Sequence, residues 1–133
     1  MRDNLVVEIE AAVDDLTSAA FSSAGVFQHA VQRSMERRGF SVVLEHPVRR
    51  PDGRQGYIDI IARGPQGDLV VIELDTASPR KKSIEKLKQV DATRIVVLRR
   101  YIRTRRTLER IEEATQEIDA VIIPRRLRAQ AYL

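Results

Sequence analysis

Three carboxylates and a short basic run hold the chemistry this sequence could do. Asp59 lies in Tyr57-Ile58-Asp59-Ile60-Ile61-Ala62, and Glu73 and Asp75 lie in Leu69-Val70-Val71-Ile72-Glu73-Leu74-Asp75. Both segments read as strands, with Gly64-Pro65-Gln66-Gly67-Asp68 as the tight turn between them. Centring this hairpin on Gln66 sets Asp59 opposite Glu73 and Tyr57 opposite Asp75. Strand side chains alternate between faces, so one face carries Ile58, Ile60, Val70, Ile72 and Leu74 and the other gathers Asp59, Glu73 and Asp75. Cross-strand neighbours lie about 5 Å apart at Cβ, where like charges repel. Three acids in that register call for a cation between them. A hard ion such as Mg²⁺ takes one or two protein carboxylates plus water. Acids scattered on a solvated sheet face are the ordinary alternative. The register sets this trio apart, and a one-residue slip would scatter it.

The basic partner is Arg80-Lys81-Lys82, the first turn of a helix that Ser78 would cap and Pro79 would open, running to about Val90. Cations there oppose the helix dipole, but together with free backbone N–H groups they suit a phosphate. Two further basic groups flank the hairpin in sequence. Arg49, Arg50 and Arg54 surround a Pro51-Asp52-Gly53 turn, and Arg99, Arg100, Arg103, Arg105 and Arg106 fall within eight positions. Such groups grip a nucleic-acid backbone and predict steep salt dependence of binding.

Helices must present these residues. Leu5, Ile9, Val13 and Leu16 recur at helical spacing in an acidic segment over 4–18 that packs on the domain or forms a dimer contact. Ser22 or Ser23 caps a helix over 24–38 with Phe27, Ala30, Val31, Ser34 and Met35 inward and Gly39 at its end. Gln28 and Glu36 lie beside that apolar stripe, within reach of a site. Phe40–Val48 is a strand, and Ile95-Val96-Val97-Leu98 suits a strand covered on both faces. Thr104 or Thr107 starts a helix with Leu108, Ile111, Ala114 and Ile118 inward. Val121-Ile122-Ile123 is a last strand, stopped by Pro124, before a tail bearing Arg125, Arg126 and Arg128.

The chain has 133 residues, enough for one domain with a core and too few for two. The expected division is an accessory helix over 1–20, a core over 24–123 and a basic tail over 124–133. With no cysteine, disulfides and thiolate metal sites are excluded. No apolar run approaches the ~20 residues of a membrane span, and the N-terminus lacks a signal-peptide pattern. The expectation is a cytoplasmic protein without a membrane partner. Net charge is +4, and nineteen of the twenty-three basic residues are Arg, the side chain suited to bidentate phosphate contacts.

The element order α-α-β-β-β-α-β-α-β, without its first helix, resembles the PD-(D/E)XK nuclease superfamily over residues 24–123. That family carries an acid on its second strand and acid-x-Lys on its third, matched here by Ile58-Asp59 and Glu73-Leu74-Asp75. The family's Pro is Ile58 and its Lys is Asp75. In some members the Lys has moved to the following helix, where Lys82 is the candidate, with Lys81 behind it. The family's first-helix Glu falls near Gln28. The resemblance implies an α/β, restriction-endonuclease-like fold: a mixed sheet of about five strands flanked by helices, with an α-β-β-β-α-β-α-β core. It implies metal-dependent DNA hydrolysis, with Asp59 and Glu73 holding Mg²⁺ or Mn²⁺, aided by the Leu74 carbonyl. Asp75 would orient water or bind a second metal, and Lys82 would neutralise the phosphate. Arg49, Arg50, Arg54, Arg80, Lys81, Arg99, Arg100 and Arg103 would hold the DNA, and a homodimer would suit a junction substrate. The departures at Asp75 and Gln28 motivate the alternative of an inactive nucleic-acid-binding or scaffold subunit. A third reading is a partner-binding domain that uses the acidic first helix.

Overall fold

The structure is a computed structural model and describes residues 4–126. Helix α1 (Asn4–Asp14) and a short 3-10 turn (Ser18–Phe21) precede α2 (Ala24–Arg37). Strands β1 (Ser41–Arg49), β2 (Gln55–Arg63) and β3 (Leu69–Asp75) follow, then α3 (Lys81–Leu87), β4 (Thr93–Tyr101), α4 (Arg105–Gln116) and β5 (Val121–Arg125). The chain is thus α/β, with a five-strand mixed sheet in the order β1-β2-β3-β4-β5. The first three strands are antiparallel neighbours, and β4 and β5 join in parallel. Helix α3 makes the crossover from β3 to β4, and α4 the one from β4 to β5, as parallel neighbours require.

Two apolar layers cover the sheet. On one face α1 and α2 bury Ile9, Phe27, Val31 and Met35 against Ile60, Val70, Ile72, Ile95 and Val97. On the other, α3 and α4 bring Leu87 and Ile111 onto Val71, Val96, Leu98 and Ile122. Burying each such side chain contributes roughly 1.5–3 kcal/mol. All five inward positions expected of α2 are buried, and Ser23 caps the helix by accepting the Val26 N–H. The acids of α1 are engaged within the chain: Arg38 bridges Glu8 and the following Asp15, and Arg126 meets Glu10 and Asp14. The first helix is therefore packed on the domain, as its apolar stripe requires.

Several expectations change. Helix α3 starts at Lys81 rather than at Pro79, and its N-cap position is Arg80, which makes no side-chain cap. Buried Asp75 serves the helix start from outside by accepting the Arg80 N–H. The α3 C-terminal end is tied by Arg94, whose guanidinium donates to the carbonyls of Leu87, Val90 and Ile118. Thr104 is the α4 cap, accepting the Thr107 N–H. Ala114 is exposed and Thr115 buried in its place. Strand β4 extends through Arg99 and Arg100, and β5 runs past Pro124 to Arg125. Arg128 lies outside the described residues.

The single dry face expected for the hairpin is also corrected. Ile60 belongs to the α1–α2 layer, but Ile58 belongs to the α3–α4 layer. Val42 and Leu44 of β1 likewise lie on the first layer and Val48 on the second. The exchange of faces occurs where Glu45 adopts φ 56°, a left-handed conformation uncommon outside glycine. The β1–β2 ladder runs from Leu44↔Ile60 to His46↔Ile58 and skips the Glu45–Asp59 pair between them. Asp59 therefore sits at a twist in two strands at once.

Candidate active site

The hairpin register is the one set by Gln66. Ile60 pairs with Ile72, Ile61 with Val71, Ala62 with Val70 and Arg63 with Leu69. Regular pairing stops there. One step on, the next residues in register are Asp59 and Glu73, and the strands part. On its other edge β3 stays paired with β4 as far as Asp75↔Leu98. The parting leaves two backbone N–H groups without ladder partners, and buried N–H groups must be satisfied. The two acids satisfy them reciprocally. Glu73 Oε2 accepts the Asp59 N–H at 2.8 Å, and Asp59 Oδ2 accepts the Leu74 N–H at 2.8 Å. The side chains act as backbone carbonyls across the gap.

This arrangement places two carboxylates against each other in a poorly hydrated place. Glu73 is fully buried. Burial, then repulsion by Asp59, pushes its carboxyl from the usual 4.5 up to about 7, against the lowering effect of Lys86. Burial also raises Asp59, opposed by the Leu74 hydrogen bond and by Lys86, and reinforced by Glu45 and Asp75. The Lys86 ammonium lies 2.5 Å from Glu73 Oε1. That contact favours the carboxylate and holds its pKa down against burial, and Oε1 has no other donor. Lys86 also donates to the Tyr57 carbonyl at 2.8 Å.

Lys86, not Lys82, is the lysine that α3 delivers to the acids. Lys82 is exposed on the helix, as is Lys81. Ser83 and Leu87 are the buried positions, and Lys86 follows Ser83 by three residues, so it shares the inward side. The sequence carried that signal, but the burial of Ser83 was needed to read it. Gly56 clears the lysine's path. A Cβ there would lie 3.1 Å from Lys86 Cδ and 3.3 Å from Arg50 Cδ, so the two stems cross β2 where it has no side chain.

Asp75 shares the β3 face with Glu73 but is otherwise occupied. Its Oδ1 accepts from Arg80 Nε at 2.9 Å and Ser83 Oγ at 3.0 Å, and its Oδ2 accepts from the Arg80 backbone. Gln28 does reach the site. Its Nε2 donates to the Asp59 carbonyl at 3.0 Å and to Glu45 Oε1 at 3.1 Å. Glu45 is the second residue missed by pattern, because only its backbone twist turns it toward the cleft. Glu36 is exposed on α2.

Gln28, Glu45, Asp59, Asp75 and Arg99 line a cleft of about 290 Å³ at the parting of the strands. Arg99 donates to the Phe21 carbonyl at 3.3 Å. Arg100 and Arg103 are exposed, and Arg80 is exposed while paired with Asp75. Of the other loop arginines, Arg50 folds back to pair with Asp52, Arg49 donates to the Gly53 carbonyl, and the Arg54 N–H is held by Asp52. Arg49 and Arg54 are exposed; Arg50 has a side chain only 11% exposed.

Among the described residues no three acidic or histidine side chains converge as a metal cage. The pair Asp59–Glu73 is nonetheless chemically suited to Mg²⁺ or Mn²⁺, which bind through one or two carboxylates and otherwise hold water and phosphate oxygens. No helix among the described residues is long and apolar enough to cross a membrane. Compared with known proteins, the chain matches no family model and no curated sequence.

Proposed function

We propose that this chain is a metal-dependent DNA endonuclease with a restriction-endonuclease-like fold, of the PD-(D/E)XK kind. One observation carries the reading. Asp59 and Glu73 satisfy two backbone N–H groups, a task that Asn and Gln would perform without burying charge. The chain keeps two acids there at a cost visible in the raised Glu73 carboxyl, and a divalent cation is what would make that charge favourable.

In this reading Asp59 and Glu73 hold Mg²⁺ or Mn²⁺. When bound, the ion acidifies water and stabilises charge on the scissile phosphate. Lys86 is the cation nearest both acids. It moves from pairing Glu73 toward neutralising a phosphate oxygen, a role for which a compact ammonium suffices. Gln28 fixes the β2 backbone at Asp59. Asp75 is a positioning residue that orients the start of α3 and hence Lys86. Arg99 at the cleft wall and the exposed Arg100 and Arg103 hold the backbone of the DNA.

The test is a cleavage assay on linear, supercoiled, single-stranded and junction DNA with Mg²⁺ or Mn²⁺. Asp59→Asn and Glu73→Gln should remain folded and lose cleavage; cleavage unchanged in both variants would remove the assignment. The ion pair of Lys86 with Glu73 and the engagement of Asp75 favour one competing reading, a DNA-binding subunit that does not cut. Titration calorimetry separates the two. Mn²⁺ binding lost in Glu73→Gln supports the nuclease, and DNA binding indifferent to the ion supports the competitor.

A further inference from the structure

The exit of β4 places an aromatic ring among arginines beside the acidic cleft. Pro124 has no N–H to offer the β4–β5 ladder. Pairing jumps from Val97↔Ile123 to Tyr101↔Arg125, so β4 bulges opposite the proline. On its other edge β4 stays in register with β3, the Arg100 N–H donating to the Thr76 carbonyl at 2.8 Å. Arg99 lies on the cleft wall, and Tyr101 rejoins the ladder opposite Arg125. The Arg125 guanidinium then lies 4.0 Å from the Phe21 ring centroid and 4.3 Å from that of Tyr101. Phe21 in turn contacts Phe27, with ring centroids 5.0 Å apart.

This stack is anchored at the core end and open at the other. Phe27 is buried, whereas Tyr101 is 38% exposed. A ring with a guanidinium fixed against one face is preorganised for a second flat group, and the surroundings are basic. A base inside a duplex has neighbours on both faces and offers only its edges. An unpaired base offers its face, and stacking on an aromatic side chain tolerates any sequence. Arg99, about 7 Å back along the extended chain from Tyr101, is placed for the phosphate of such a nucleotide.

We infer that Tyr101, backed by Arg125 and Phe21, is a stacking platform for an unpaired base of a DNA strand whose phosphate rests on Arg99 at the mouth of the acidic cleft. The ligand class is single-stranded or frayed DNA in preference to uninterrupted duplex. This deepens the proposed function and rests on its strand-binding half, not on cleavage.

The experiment uses the full chain in chelator, so that nothing is cut. The probes are a single strand of about 15 nucleotides carrying a central 2-aminopurine, and the same strand annealed to its complement. Tyr101→Leu keeps an apolar side chain and removes the ring; Tyr101→Phe keeps the ring. Tyr101→Leu should weaken single-strand binding by about 5- to 150-fold and abolish stacking-induced quenching of the probe. Tyr101→Phe should bind and quench as the parent does. Duplex affinity should be unchanged in both, and so should the salt slope for single strands, since no phosphate contact is lost. Parent-like single-strand binding by Tyr101→Leu would overturn the platform and show that the stack only fastens β5; an equal loss on duplex would overturn it as well. If the parent cuts DNA in Mg²⁺ while Tyr101→Leu binds single strands normally, the platform fails and the nuclease stands. Tyr101-dependent binding without cleavage in any metal gives the converse. No binding to either probe at low salt removes both.

Discussion

Glu73 and Asp75 stand two residues apart on one strand and one face, both buried, yet their surroundings treat them oppositely. Asp75 has both oxygens aligned with donors from the start of α3. Glu73 has one oxygen spent on the Asp59 N–H and the other held by the Lys86 ammonium alone. A saturated carboxylate organises structure. One held by a single N–H and a single ammonium, facing a second acid, keeps a charge that burial opposes, and the proposed metal site rests on that half of the contrast. The same contrast divides the β2–β3 hairpin itself. At the turn end it is closed by backbone pairing, and at the site end side chains bridge the gap.

The largest effect should separate these two roles. Asp59→Asn or Glu73→Gln should lower Mg²⁺-dependent cleavage by at least about 10²-fold, the range for losing one polar contact made in a transition state. Both amides can still accept the N–H groups that the acids accept, so the melting temperature should hold or rise in Asp59→Asn, while Glu73→Gln also removes the carboxylate paired with Lys86 and should lower it modestly without unfolding the chain. A plasmid-nicking assay beside a thermal melt reads both quantities.

The next effect is on stability against pH. The folded Glu73 carboxyl titrates near 7 and its unfolded counterpart near 4.5. Between those values the folded state binds more protons, so stability falls as pH rises. It is fully present below about pH 4.5 and depleted above about pH 7. Urea unfolding at pH 5 and pH 7.5 measures this. Glu73→Gln should flatten the trend, and Mn²⁺ should restore stability at the higher pH only in the parent.

Asp75 should behave as a structural acid. Asp75→Ala strands the Ser83 hydroxyl and frees the helix start, lowering stability by about 2 kcal/mol. A chain that loses cleavage in this variant while its unfolding midpoint is unmoved would break the contrast drawn between the two acids. Within α3, Lys86→Met should impair cleavage by about tenfold, and Lys82→Met should leave it nearly intact. The smallest effect is expected at Gly56. Gly56→Ala pushes the Lys86 stem by a few tenths of an ångström and should weaken cleavage less than loss of the lysine does.

Much of the architecture is legible in residue order because it follows from period and punctuation. The α2 stripe of Phe27, Ala30, Val31, Ser34 and Met35, and the Gln66-centred turn, each fix a local conformation, and the turn fixes the hairpin register by counting. The adjacency of Asp59 and Glu73 follows from that register alone. Ser78 and Pro79 imply an earlier start for α3 than the structure gives, because a remote carboxylate, Asp75, rather than Ser78 meets the Arg80 N–H. Residue order points to Lys82 rather than Lys86 because charge near a helix start shows in sequence, whereas the helix face turned to the sheet does not.

What the sequence by itself determined is the order of elements, the hairpin register and the acid pair it opposes. Period-two alternation and turn chemistry act over a few residues and survive without context. Only the tertiary structure decided that the strands part at Asp59, that Ile58 and Ile60 serve different layers, and that Lys86, Gln28 and Glu45 meet there. Those outcomes depend on a left-handed residue in a neighbouring strand and on helices packed from both sides. No short-range pattern encodes contacts between segments so far apart along the chain.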